Sequence, residues 1–286
     1  MKPYELTNDQ RKYVGLTPVA DDWDRQPLND TVVVYFDKEK LVKVLNYGWG
    51  YIEYDTDIDT RGGKFLLPKT AKGKEHKLTI ARLLKIKGIG IQFSASFEGG
   101  GIHVYDNKRN LFFIKSFIED GQILNFENIE AWIKKYIKAS PANYFDWLNE
   151  ELSKSRQHNK AREGDIIAYP VGRQEFGFAK VLLNGIRSEL PWVDTKVFDL
   201  NLFGKPLMVL PYAFIAENTA IDLDILLKQP VLPHVFIFDS DVYYGAFPII
   251  GNRPVTQSDF NFAFPLKKSK YLTIPYSKTD IQSYFN

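Results

Sequence analysis

Ten of the chain's 15 prolines fall within its last 126 residues, and no other feature of the sequence constrains the fold as much. Proline removes a ladder donor, so it is confined to strand ends, edges and bulges. A flat sheet of long central strands is therefore disfavoured beyond residue 160, and a small bent barrel or half-barrel is expected. The first 160 residues hold only 5 prolines but 12 of the 19 glycines. Between the two segments runs Ser153-Lys154-Ser155-Arg156-Gln157-His158-Asn159-Lys160-Ala161-Arg162, with one small apolar side chain. It reads as a solvated helix end passing into a linker. The expected fold class is thus an α+β domain over 1–155 ending in two helices, a linker over 156–162, and a mostly-β domain over 163–286. A chain of 286 residues has ample surface to bury for two such cores.

In the first segment a short helix is expected from Asn8, with Asn8-Asp9 capping Gln10–Tyr13. Runs rich in β-branched and aromatic residues predict strands at Thr31–Phe36, Leu41–Leu45, Trp49–Tyr54, Gly90–Phe97, Ile102–Tyr105 and Leu111–Ile114. The clearest helix is Phe126–Lys138, where Ile129, Trp132, Ile133, Tyr136 and Ile137 form one apolar stripe. Glu127 and Glu130 near its start and Lys134, Lys135 and Lys138 near its end suit the helix dipole. Ser140-Pro141 supplies the cap and first-turn proline of a second helix that turns Tyr144 or Phe145, Leu148 and Leu152 inward. In the second segment Asp165–Val171 and Phe176–Leu183 predict a hairpin. Further strands are expected at Leu207–Ile215, Val235–Phe238, Val242–Phe247 and Leu272–Tyr276, with one helix at Ile221–Lys228.

Composition removes several function classes. The chain has no Cys, which excludes disulfides, thiolate metal sites and a Cys nucleophile. With 37 Lys+Arg against 35 Asp+Glu, a net charge of +2 gives no whole-molecule drive toward nucleic acid or anionic membrane. The first ten residues are polar and lack the apolar stretch of a signal peptide. The longest runs free of charged residues, 206–216 and 242–252, are 11 residues each, against about 20 for a membrane span. The expectation is a cytoplasmic protein with no membrane partner, and nothing in the sequence sets its oligomeric state.

Local motifs for chemistry are weak. Asp55, Asp57 and Asp59 alternate, but Thr60 and Leu66 stand where a calcium loop needs Gly and Glu, so a solvated strand end is the better account. Gly88–Phe93 and Gly99-Gly100-Gly101 complete neither nucleotide-binding pattern, and the latter reads as a hairpin turn. His76, His103, His158 and His234 are scattered, and neither H-E-x-x-H nor G-x-S-x-G occurs. No catalytic residue, metal site or cofactor is therefore assigned. Residues 61–87 carry Arg61, Lys64, Lys69, Lys72, Lys74, Lys77, Arg82, Lys85 and Lys87 against Glu75 alone. A lysine-rich exposed hairpin that discourages sheet pairing explains this run best. It could also track a phosphate backbone, although Phe65 is its only aromatic, or dock an acidic protein.

One resemblance goes further. Gly164-Asp165-Ile166-Ile167-Ala168-Tyr169, followed by Phe176-Gly177-Phe178-Ala179-Lys180-Val181, resembles the opening of the immunity protein 26 family, which pairs a Gly-Asp-apolar-apolar-Ala strand with an aromatic-Gly-Phe-Gly-Arg strand. Tyr243-Tyr244-Gly245-Ala246-Phe247-Pro248-Ile249-Ile250-Gly251 is similar to its closing block, and Gly204-Lys205-Pro206-Leu207 fits the strand between. The likeness covers about 162–257, and Met1–Asn8 resembles the start of longer members with an extra N-terminal domain. Ala179-Lys180 departs from the usual Gly-Arg, and Phe247 from the usual Trp. The resemblance implies a mostly-β domain encoded beside bacterial polymorphic toxins and neutralising them by binding; some relatives carry a phosphotriesterase-like label. The motif residues Gly164, Asp165, Tyr169, Phe176, Gly177, Phe178, Tyr244, Gly245, Phe247 and Gly251 all have structural readings as turn, bulge and packing positions. The expected function is a non-enzymatic immunity protein whose partner is a toxin domain. A metal-dependent hydrolase is the alternative, and a nucleic-acid-binding module comes third.

Overall fold

A computed structural model describes residues 4–61, 65–98, 101–117, 125–185, 206–260 and 276–283. The fold is mostly β, in antiparallel sheets, none of which closes into a barrel among the described residues. The chain divides into two compact units, Met1–Arg156 and Gln157–Asn286.

The first unit opens with helix α1 (Asn8–Tyr13). Its cap is Thr7 rather than the expected Asn8-Asp9, because Thr7 and Gln10 close a reciprocal capping box. Strands β1 (Asp24–Pro27), β2 (Val32–Asp37), β3 (Lys40–Asn46) and β4 (Gly50–Asp59) follow as an antiparallel meander. An excursion carries the short strands β5 (Leu66–Leu67) and β6 (His76–Lys77) and the single-turn helix α2 (Ile80–Leu83). The meander then resumes with β7 (Ile89–Ser96), β8 (Gly101–Asp106) and β9 (Leu111–Phe117), giving seven strands in the order β1-β2-β3-β4-β7-β8-β9.

Helices α3 (Phe126–Lys138) and α4 (Tyr144–Ser153) close the unit. The first occupies the span its apolar stripe predicts, capped by a reciprocal Asn125–Asn128 pair, and buries Ile129 and Ile133. The second begins three residues after Pro141 with Asn143 at its cap, a correction to the Ser140-Pro141 start. Tyr144 and Leu148 are its buried residues, while Phe145 stays exposed.

Strand β2 is buried on both sides. Val33 and Tyr35 face a core shared with Leu45, Tyr51, Phe93, Ile129 and Ile133. Val32, Val34 and Phe36 face a second core with Leu41, Tyr54, Leu78 and Leu83. That is why Val-Val-Val-Tyr-Phe reads as an unbroken apolar run rather than an alternating one.

The second unit contains β10 (Asp165–Pro170), β11 (Phe176–Asn184), β12 (Pro206–Ala216), α5 (Leu223–Leu226), β13 (Val235–Phe238), α6 (Ser240–Tyr243), β14 (Ile249–Asn252) and α7 (Lys278–Ser283), with a 3-10 turn at Gln257–Phe260. The five strands among the described residues form one sheet in the order β13-β12-β11-β10-β14 that does not close on itself, so a closed barrel, one of the two forms expected, is corrected. The prolines explain how. Pro170 ends β10 and Pro206 begins β12, while Pro211 stands beyond the end of the β13 ladder. Their carbonyls still serve: Pro206 accepts from Gly185 N–H, Pro211 from Leu232, Pro230 from Ala213 and Pro248 from Ala168. Each missing donor falls where no ladder needs it, so the sheet tolerates them without curling shut.

The expected strand Val242–Phe247 is instead helical over its first residues and then turns. Tyr243 and Tyr244 N–H donate back to Asp239 and Ser240, and Gly245 takes φ +82, which ends the element. The helix expected at Ile221–Lys228 shrinks to Leu223–Leu226, capped by Asp222. Most of the expected strand Leu272–Tyr276 lies outside the described residues.

Candidate functional site

The motif residues of the second unit fall into two groups, buried except for the half-buried Phe176, Tyr244, Gly245 and Gly251. In the first, Gly164 turns into β10 with φ +86, its N–H donating to Val181 O at 2.8 Å and its carbonyl accepting from Arg253 N–H at 2.9 Å. A β-carbon there would lie 2.5 Å from the Arg253 carbonyl. Asp165 is buried, and its carboxylate accepts from the Asn252 side-chain amide at 2.8 Å and from Arg162 N–H at 2.7 Å. Gly251 pairs with Ile166 across β10–β14, where a β-carbon would meet Leu223 at 2.4 Å.

In the second group, Tyr169 opposes Gly177 in the β10–β11 ladder, and its ring lies 6.1 Å from that of Phe247. A β-carbon on Gly177 would come within 2.5 Å of the Tyr169 ring. Burial drives the Tyr169 hydroxyl far above its ordinary pKa, and that hydroxyl has no hydrogen-bond partner among the described residues. Phe176 and Phe178 pack into the core on the opposite face of the sheet, the latter 5.8 Å from Phe214. Tyr244 and Gly245 meet the segment that the sequence presents as a linker. His158 sits edge-on to Tyr243 at 5.0 Å and Tyr244 at 6.3 Å, Asn159 N–H donates to Tyr243 O at 2.9 Å, and Gln157 fills the space beside Gly245.

Lys180, at the position where the resemblance favours Arg, is buried and donates to Pro254 O at 3.0 Å and Asp259 at 2.9 Å. It clamps the 3-10 turn to the sheet. Every motif side chain described so far is occupied in holding strands, turns and the docked 157–161 segment together.

Beside this framework lie two shallow hollows of about 450 Å³ each. One is lined by Asn184, Asp239 and Tyr243 and the other by His158, Asp165 and Ile249, with Asn159, Lys160 and Arg162 at both. Lys160 and Arg162 are exposed and make no ion pair among the described residues. The sequence reading missed this feature, because 156–162 looks like linker until it folds against α6. The basic character of Lys160 and Arg162 was the only signal available.

The basic residues named from the sequence lie in the first unit, on the excursion between β4 and β7. Arg61 pairs with Glu75 at 2.9 Å and Lys69 approaches the same carboxylate at 3.8 Å. Lys72, Lys74 and Lys77 are exposed, the first two on the turn between β5 and β6. Lys64 lies outside the described residues. The alternating aspartates of β4 are engaged by lysines of the adjacent strand β3: Asp55 with Lys43 at 2.5 Å, Asp57 with Lys40 at 2.5 Å, and Asp59 with Lys40 at 3.8 Å.

The same sheet holds a buried ionic network that the sequence did not announce. Glu53 is fully buried and bound by Arg11 Nε at 2.7 Å, Lys43 Nζ at 3.1 Å and the Tyr51 hydroxyl. Burial, reinforced by Glu53, raises the Tyr51 pKa well above its ordinary value. Glu5 accepts from the Tyr35 hydroxyl at 2.6 Å and from Arg25 at 2.5 Å; burial and that hydrogen bond push Tyr35 up to about 12. The opposed charges are matched one against another, so the network is a strut of the fold. Among the described residues no three of His, Asp and Glu cluster closely enough to hold a metal ion, and no helix is long and apolar enough to cross a membrane.

Residues 162–273 match the family model of immunity protein 26. The match takes in β10 to β14, the motif groups and the 3-10 turn, and supports a toxin-immunity role at the level of that family. No curated protein and no solved structure matches the chain.

Proposed function

We propose that the protein is a two-domain immunity protein that binds a cognate polymorphic toxin in the cytoplasm and neutralises it by covering a functional surface, without catalysis of its own. The observation that carries this reading is the family match over 162–273, together with what its motif residues do. Gly164, Asp165, Gly177, Phe247 and Gly251 build a rigid sheet and are spent on packing and internal hydrogen bonds. A framework of that kind presents a stable surface, and affinity in such complexes comes from a few anchors at the interface centre. We take the domains to be 1–155 and 163–286 joined by 156–162, a reading supported by the division into compact units between Arg156 and Gln157, with the first corresponding to the extra N-terminal domain of longer members.

The test is co-expression with the toxin encoded by the adjacent gene. Growth should be restored and the two proteins should co-purify. Failure of both rescue and complex formation, with each protein demonstrably folded, would overturn the reading.

A further inference from the structure

We infer that the toxin-docking face lies on the first unit, on the basic excursion between β4 and β7, and that it receives an acidic protein surface. This inference rests on the immunity reading above and assigns the site and the partner chemistry that the family match leaves open.

The excursion is not required by the topology. Strands β4 and β7 are antiparallel neighbours, with Asp55 opposite Ile89 and Gly50 opposite Ser96, and a short loop would suffice to join them. The chain instead spends residues 60–88 there. One side of that segment explains part of the expenditure. Leu67, Leu78, Ile80, Leu83 and Ile86 lie against the apolar face formed by Val34, Phe36, Leu41 and Tyr54. Gly88 lets the returning chain pass so near the Tyr54 ring that a β-carbon would lie 2.9 Å from it.

The solvent side is not explained by covering a core. Lys72, Lys74, Lys77, Arg82, Lys85 and Lys87 are all exposed and form no ion pair among the described residues. The single carboxylate of the segment, Glu75, is taken by Arg61 and Lys69. Flanking Asp55, Asp57 and Asp59 are taken by Lys43 and Lys40. Six uncompensated cations on one short segment repel one another and lower stability, in a chain whose total charge is only +2. Edge protection does not account for them either. The β5–β6 ladder has two residues per strand, and Arg82, Lys85 and Lys87 lie outside it.

Apolar side chains are exposed along the same stretch of chain: Phe65 is 42% exposed, Leu84 49% and Ile89 49%. Cations around apolar anchors are what a protein interface uses to combine steering with desolvated contact. Single-stranded nucleic acid would need free aromatic faces for its bases. The only Phe, Tyr or Trp of 61–87 is Phe65, whose ring is set edge-to-face against Phe36 at 6.3 Å.

The experiment uses the full chain and the toxin domain encoded by the adjacent gene. Two charge-reversed variants, K72E/K74E/K77E and R82E/K85E/K87E, are compared with wild type and with K12E/K135E/K138E, which changes the total charge equally on α1 and α3. Thermal melting verifies folding, and Lys→Gln versions at the same positions replace any variant that fails it. At low salt the two excursion variants should associate on the order of tenfold more slowly than wild type. They should also lose most of the wild-type salt dependence and rescue growth less well, while the α1/α3 variant matches wild type. If wild type binds the toxin and the excursion variants bind equally fast, the docking assignment is wrong and the immunity reading survives. If the α1/α3 variant slows as much as they do, the effect is global charge, and the assignment is again wrong. Retention of a fluorescent single-stranded oligonucleotide by wild type, lost in the excursion variants while toxin association is unchanged, would make the face a nucleic-acid site. Absence of any wild-type complex or rescue would remove the immunity reading, and this inference with it.

Discussion

Gly177 has no room for a side chain. It stands opposite Tyr169, whose fully buried ring would lie 2.5 Å from an added β-carbon, and the β11–β12 register shifts immediately after it. Its placement between two phenylalanines marks a bulge or a close approach in sequence, and the structure has both. What the sequence does not show is the identity of the approaching group, because the β10–β11 register decides it. G177A should therefore cost about 1–3 kcal/mol by overpacking. The Tyr169 hydroxyl has no hydrogen-bond partner among the described residues, so Y169L should lose mainly packing. Urea unfolding of G177A, Y169L and the double variant should show the double less destabilised than the sum of the singles. Strict additivity would show that the ring and the glycine do not meet.

At the scale of elements, β4 carries the largest difference between pattern and placement. The alternation of Tyr51, Glu53 and Asp55 in its sequence sets these side chains on one face. The same alternation runs on through Asp57 and Asp59, which are exposed as a solvated strand end requires. At Glu53 the face turns out to be inward, since α1 lays Arg11 over Glu53 and β3 places Lys43 between Glu53 and Asp55. Removing the Glu53 charge leaves two buried cations with less compensation. E53Q should cost about 3–5 kcal/mol in the full chain, as breaking one partner of a buried pair does. A loss below 1 kcal/mol would mean that water reaches the network. The contrast with α3 is instructive: its stripe, charges and caps are all local in sequence, and its span was readable to the residue.

At the scale of the whole molecule, the two units should unfold as separate cooperative blocks, which calorimetry of the full chain would display as two transitions. His234 labels the second. Burial lowers its pKa below the ordinary value of 6.5, so the folded state takes up its proton less readily than the unfolded state. The stability it supports is complete above about pH 6.5 and drains away as pH falls from there through the lowered folded value. One transition should thus move down in temperature just below pH 6.5, and H234N should flatten that shift and leave the other transition in place. A single transition, shifting as a whole, would refute the division.

The sequence by itself determined those properties that need only neighbours along the chain. These are the α3 stripe, the strand-like runs of the first sheet, the glycine positions that must turn or approach closely, the excess of charge over 61–87, and a likeness confined to the C-terminal part. Helix periodicity, backbone sterics and local charge act over a few residues, so a linear reading can carry them. Tertiary structure alone decided that Pro170 and Pro206 stand at strand ends and Pro211 beyond the β13 ladder, that 157–161 docks on α6, and that Arg11, Lys43 and Glu53 share one buried site. Those outcomes depend on which strand pairs with which and in what register. That choice is made by burial summed over residues far apart in the chain.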